Sequence, residues 1–165
     1  MTIKRKVCLI GDFAVGKTSL VQRFVHNTFS EKYLTTVGVK IDTRLVQLVG
    51  GDVKLVLWDI YGDHTLTASS ASYMVGAHGC LLVADGTRAN TLHTALRLKR
   101  RLDEVVGAVP SVWLLNKSDL GSEWELGESE LALLEATGSP VLRTSACSGE
   151  NVERAFTLLA QEFLG

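Results

Sequence analysis

Eight residues, Gly11-Asp12-Phe13-Ala14-Val15-Gly16-Lys17-Thr18, carry two glycines separated by four positions and followed by Lys-Thr. They lie between Ile3 to Ile10, an apolar run that reads as a buried strand, and Thr18 to His26, which has helical spacing. A strand turning at once into a helix around two glycines delivers successive backbone amides to the positive end of that helix, and such a nest accepts phosphate oxygens. Gly11 and Gly16 let the backbone turn and approach a ligand closely. In this pattern Lys17 reaches the β- and γ-phosphates, and the Thr18 hydroxyl completes part of a magnesium shell. Phe13, Ala14, Val15, Gly16, Lys17, Thr18 and Ser19 are the candidate nucleotide-binding positions of the loop. By itself the loop does not choose between ATP and GTP.

Further β-rich apolar runs occur at Leu45 to Val49, Lys54 to Trp58, Gly79 to Ala84, Ser111 to Leu115 and Pro140 to Arg143. The first two are joined by Gly50-Gly51-Asp52, a hairpin-type connection, so they are expected to run antiparallel. The others alternate with helical segments at Asn90 to Val106, about Glu128 to Thr137, and Asn151 to Leu164, which implies right-handed crossovers. The expected fold is α/β: a three-layer P-loop NTPase architecture, with six strands, mostly parallel, one antiparallel edge strand, and helices on both faces. In such a sheet ligands bind outside the carboxyl ends of the strands, where the polar clusters of this chain fall. Thr28 to Gly38 reads as a loop, and Gly62 to Ser72 as a loop passing into a weak helix.

A chain of 165 residues with 46% hydrophobic residues suits one domain, residues 1–165. A net charge of -1 gives no electrostatic case for nucleic acid. Cys8, Cys80 and Cys147 lack metal-like spacing and fit a reducing, cytoplasmic setting. No signal peptide or bilayer-crossing segment is visible, and residues 1–165 end without a cysteine for lipidation: either a tail has been removed or membrane attachment is not native, and no membrane anchor is expected within these residues.

Asn116-Lys117-Ser118-Asp119 follows the strand ending at Leu115. A carboxylate there can accept hydrogen bonds from N1 and the 2-amino group of guanine, a donor pair adenine lacks. Farther on, Thr144-Ser145-Ala146 follows the last strand, where the Ala146 amide can donate to guanine O6.

With these residues the chain closely resembles a Ras-superfamily small GTPase, most like the Rab branch. The resemblance spans nearly the whole chain. It is carried by Gly11 to Thr18, Thr36-Val37-Gly38-Val39, Trp58-Asp59 with Gly62, Gly76-Ala77-His78-Gly79, Asn116 to Asp119, and Thr144-Ser145-Ala146 with Ser148 to Glu153. It implies a GTP/GDP-binding switch that needs Mg2+ and hydrolyses GTP slowly. Thr36 resembles the threonine that ligates magnesium and senses the γ-phosphate, Asp59 the carboxylate behind the metal, and Gly62 the amide at the γ-phosphate. Phe29 resembles the ring packed on guanine and Tyr33 the one that closes over the phosphates. Asn116, Lys117, Asp119, Ser145, Ala146 and Cys147 fall in the base-reading segments, and Thr18, Thr36 and Asp59 form the metal set. The implied partners are effector and regulator proteins that bind around Thr36, Ile41, Trp58 and Tyr73, with the chain itself a monomer.

The pattern breaks after Gly62, where the family usually carries Gln then Glu and this chain has Asp63 and His64. With Lys17 and Gly62, Asp63 completes the candidate catalytic set. A Gln amide both accepts from an attacking water and donates toward phosphate, whereas an ionised Asp only accepts and brings negative charge toward an anion. Phe13 and Ala14 stand where relatives usually have a small residue and glycine, Ile41 where many have Phe, and Cys147 where lysine is usual. Asp63 and Phe13 open a second reading, a GTP-bound adaptor that does not hydrolyse.

Overall fold

The computed structural model describes residues 1–30, 38–62 and 68–165. Six strands form one sheet in the order β2-β3-β1-β4-β5-β6. They are β1 (Thr2–Gly11), β2 (Val39–Leu48), β3 (Gly51–Ile60), β4 (Gly79–Asp85), β5 (Ser111–Asn116) and β6 (Val141–Arg143). Only the β2–β3 pair is antiparallel; β1 pairs in parallel with β3 and β4, and β4-β5-β6 continue in parallel. The described residues form five α-helices: α1 (Lys17–His26), α2 (Ala68–Met74), α3 (Ala89–Val106), α4 (Glu128–Glu135) and α5 (Val152–Glu162).

The helices divide the core in two. On one face Leu20, Val21 and Phe24 of α1 meet Ala155, Phe156 and Leu159 of α5 over Val7, Leu9 and Leu81. The Phe24 and Phe156 rings stack there at 3.9 Å. On the other face Leu92, Ala95, Leu98 and Leu102 of α3 and Leu134 of α4 cover Cys8, Cys80, Leu82 and Trp113. β4 is buried along its whole length, as its apolar run requires of a central strand covered on both faces. Trp113 is fully buried and gives its indole N–H to Thr137 Oγ1 at 2.9 Å, which satisfies its polar edge.

Three features differ from the sequence expectation. β2 begins at Val39 and pairs with β3 over its full length, well before Leu45. Its first half, Val39-Lys40-Ile41-Asp42-Thr43-Arg44, is an edge segment open to solvent, so its polarity masked a strand. The hairpin turn is Val49-Gly50, because Leu48 pairs with Gly51; Gly51 and Asp52 already belong to β3 and Val49 is fully exposed. A short 3-10 turn at Gly121–Glu123 was not expected. Among the described residues no helix is long and apolar enough to cross a membrane.

Burial pushes the Cys8 thiol up to about 12, against the opposing pull of Lys6, and raises Cys80 well above its ordinary range. Cys147 is exposed. A thiol reagent is therefore expected to titrate one cysteine in the folded protein and all three in denaturant. A second fast-reacting thiol in the native protein would contradict this packing.

Candidate nucleotide site

The turn between β1 and α1 is shaped by what holds its carbonyls. Five consecutive carbonyl oxygens each accept a side-chain donor: Lys17 Nζ donates to Gly11 O (3.2 Å) and Asp12 O (3.1 Å), Arg88 Nη2 to Phe13 O (2.6 Å), Lys117 Nζ to Ala14 O (2.9 Å), and Asn116 Nδ2 to Val15 O (2.9 Å). In a trans peptide the N–H of the next residue points opposite the carbonyl. The amides of Ala14, Val15 and Gly16 therefore face away from Arg88, Lys117 and Asn116 and toward the concave side of the loop. Ala14 (φ 56°) and Gly16 (φ 101°) are left-handed, the backbone alternation that builds an anion nest. Gly16 is required twice over, since a Cβ there would also run into the Asn116 amide.

Lys17 is buried, and desolvation pulls its ammonium down to about 8, against Asp59 and Asp12, which favour the charge. Thr18, in the first turn of α1, donates from Oγ1 to Asp59 Oδ2 at 2.6 Å, which brings together two of the expected metal residues. Asp59 itself is buried near the end of β3. Gly62 lies against the loop backbone: a Cβ there would meet Asp12 O at 2.7 Å and Phe13 Cα at 2.8 Å. The Phe13 side chain is 47% exposed. Tyr33, Thr36 and Asp63, and with them His64, lie outside the described residues.

The base-reading segments meet at the ends of β5 and β6. Thr144 Oγ1 donates to Asn116 Oδ1 (3.1 Å), and Ser118 N donates to Thr144 O (3.0 Å). Ser145 Oγ donates to Asp119 Oδ1 at 2.8 Å and thereby fixes the carboxylate. Ala146 is buried, whereas Cys147 and, in the segment after α1, Phe29 are exposed. On the opposite side of β3, Ile41 pairs across the hairpin with Trp58, whose ring lies 6.5 Å from that of Tyr73. Lys6 Nζ sits 3.7 Å above the Trp58 ring and donates to Val75 O at 2.8 Å. Ile41 is 49% exposed, so this surface combines apolar area with one cation.

A family model described as the Ras family matches residues 6–165. This chain is a Ras-family small GTPase. It is 38% identical over 159 residues to the Ras-related protein RABA2d of Arabidopsis thaliana, an alignment covering 94% of this chain and 73% of the relative. It is 36% identical over 159 residues to RABA2b of the same plant, covering 95% and 74%. The GTPase is thus GTP-binding and Rab-like.

Three residues of this GTPase's site escaped sequence reasoning. Asp85 ends β4 buried, and receives Thr87 Oγ1 (2.6 Å), Lys117 Nζ (2.9 Å) and Arg88 Nε (3.0 Å). Burial alone would raise its carboxyl, but the hydrogen bonds from Thr87, Lys117 and Arg88 outweigh it and hold the group below its ordinary value. It thereby sets Lys117 and Arg88 against the phosphate loop. The available signal was a carboxylate closing an otherwise apolar buried run. Arg88 and Arg23 carried no comparable signal, because each acts on backbone oxygens remote in sequence.

Proposed function

We propose that this GTPase is a guanine-nucleotide switch in one domain, residues 1–165, that binds GTP and GDP with Mg2+ and hydrolyses GTP slowly unaided. The observation that carries the reading is the pairing of a phosphate loop whose amides are aimed inward with a base-reading carboxylate, Asp119, held by Ser145 at 2.8 Å. Lys17 would grip the β- and γ-phosphates, while Asn116 and Lys117 brace the loop rather than touch phosphate. Asp119 would select guanine, with the Ala146 amide at O6.

The oxygen donors Thr18 and Asp59 suit Mg2+, which prefers carboxylate, hydroxyl and phosphate oxygens to nitrogen or sulfur. Thr18 and Thr36 would hold the ion, with Asp59 behind it. Bound there, the ion would neutralise charge on the β- and γ-phosphates. Thr36 and the Gly62 amide would sense the γ-phosphate, so that its loss releases both loops and changes the surface around Ile41, Trp58 and Tyr73 that effectors and regulators read.

Hydrolysis would be slow because of Asp63. Two unit charges about 5 Å apart at an effective dielectric near 20 repel by about 3 kcal/mol, before screening by Mg2+ and Lys17. Single-turnover hydrolysis of GTP-loaded protein is expected to accelerate at least tenfold in Asp63→Gln. Equal rates in the two proteins would remove Asp63 from the account. A second reading is a GTP-bound adaptor: the Phe13 side chain is exposed and its backbone lies beside Gly62, where the ring would obstruct an activator's arginine. GTP that survives for hours in wild type and in Asp63→Gln, with release of nucleotide shown separately, would select it.

A further inference from the structure

The turn that follows β6 is held from α1 by one side chain. Arg23 Nε donates to Ala146 O at 2.8 Å and Arg23 Nη2 to Cys147 O at 2.6 Å, while Nη1 reaches Asn27 Oδ1 at 3.2 Å. The rest of the turn is tied within itself: Ser145 N donates to Glu150 O (3.1 Å), Gly149 N to Ser145 O (2.8 Å), and Ser148 N to Ser145 Oγ (2.9 Å). Among the described residues the amides of Ala146 and Cys147 have no acceptor.

Peptide geometry decides where those two amides point. Gly149 holds the Ser145 carbonyl, so the Ala146 N–H faces the other way. Arg23 holds the Ala146 carbonyl, so the Cys147 N–H faces away from α1 as well. The Ser148 N–H, behind the second carbonyl that Arg23 holds, is already given to Ser145 Oγ. Of the two peptides gripped by the guanidinium, only the Ala146–Cys147 one presents a free donor.

We propose that Arg23 is a positioning residue for base selection, which by fixing the Ala146 carbonyl aims the Cys147 amide, beside that of Ala146, at the purine O6. The inference rests on the guanine reading above. Arg23 touches no nucleotide itself. It acts through a backbone donor that, proline apart, no substitution at position 147 removes.

The test compares wild type, Arg23→Gln and Arg23→Lys for binding GDP, inosine diphosphate and 6-thioguanosine diphosphate, with Mg2+ present and folding checked by circular dichroism. Inosine keeps O6 and lacks the 2-amino group, whereas 6-thioguanine keeps the 2-amino group and replaces O6 by a weak sulfur acceptor. Arg23→Gln is expected to weaken GDP and inosine diphosphate alike, by about three- to tenfold. The thio analogue should change little, so discrimination at position 6 shrinks while discrimination at position 2, read by Asp119, is unchanged. Arg23→Lys, which can restore one donor, should recover part of the loss. A uniform loss for all three diphosphates, or no loss for any, would overturn the proposal. Absence of any GDP preference over ADP in wild type would instead overturn the guanine reading on which it rests.

Discussion

An Asp119→Asn protein is expected to lose GDP affinity by a factor on the order of 10²–10⁴ and to gain affinity for xanthosine diphosphate. The carboxylate, anchored through Oδ1 by the Ser145 hydroxyl at 2.8 Å, would accept from guanine N1–H and from the 2-amino group. Hydrogen bonds to a charged group contribute about 1.5–3 kcal/mol each, and losing two gives that factor. An Asn amide turns one acceptor into a donor, which faces the 2-amino group as a mismatch but meets the 2-carbonyl of xanthine as a partner. Competition against a fluorescent guanine nucleotide measures both changes. Retention of GDP affinity within threefold would show that position 119 does not read the base.

Gly16→Ala should be nearly as damaging, and it acts on the loop itself. Left-handed backbone costs a residue with a Cβ about 1–2 kcal/mol, and Gly16 has φ 101°. The new methyl would also displace the Asn116 amide, which holds Val15 O at 2.9 Å and accepts from Thr144 Oγ1 at 3.1 Å. Breaking two buried hydrogen bonds adds about 1–3 kcal/mol each. A total of about 3–8 kcal/mol corresponds to a thermal midpoint lower by roughly 6–30 °C for a domain of this size, with nucleotide affinity down at least a hundredfold. Gly76→Ala is the control, because Gly76 has φ 80° but nothing within 4 Å of an added Cβ. If the two variants melt together, the contact with Asn116 contributes nothing.

The phosphate loop and the Asn116 to Asp119 segment were legible in the sequence because their chemistry is local. Glycines, a lysine and a carboxylate must stand at fixed offsets along a few residues of chain. The buried strands were legible for a similar reason, since Gly79 to Ala84 is apolar without interruption and only a doubly covered strand tolerates that. The start of β2 was not, because an edge strand needs neither apolar continuity nor a buried face, and Lys40, Asp42 and Arg44 break the apolar run. Nor were Asp85, Arg88 and Arg23, because the partners that tie them to the site, Lys117, Phe13 O, and the Ala146 and Cys147 carbonyls, are brought close only by folding. The Asn116 to Asp119 segment assigns Lys117 to the nucleotide, yet the structure gives its ammonium two protein partners, Ala14 O and Asp85. That second duty follows from the strand order, which sets β4 between β1 and β5.

Arg88 on Phe13 O, and Lys117 on Ala14 O and Asp85, root the phosphate loop at the corner where β4 enters α3. A protein that ejects the nucleotide consequently needs no access to the anion. Leverage on that corner would let the loop's carbonyls swing back and spoil the convergence of its amides. On the switch reading proposed above, the hairpin face around Ile41 and Trp58 would remain open, and release and recognition would fall to separate surfaces.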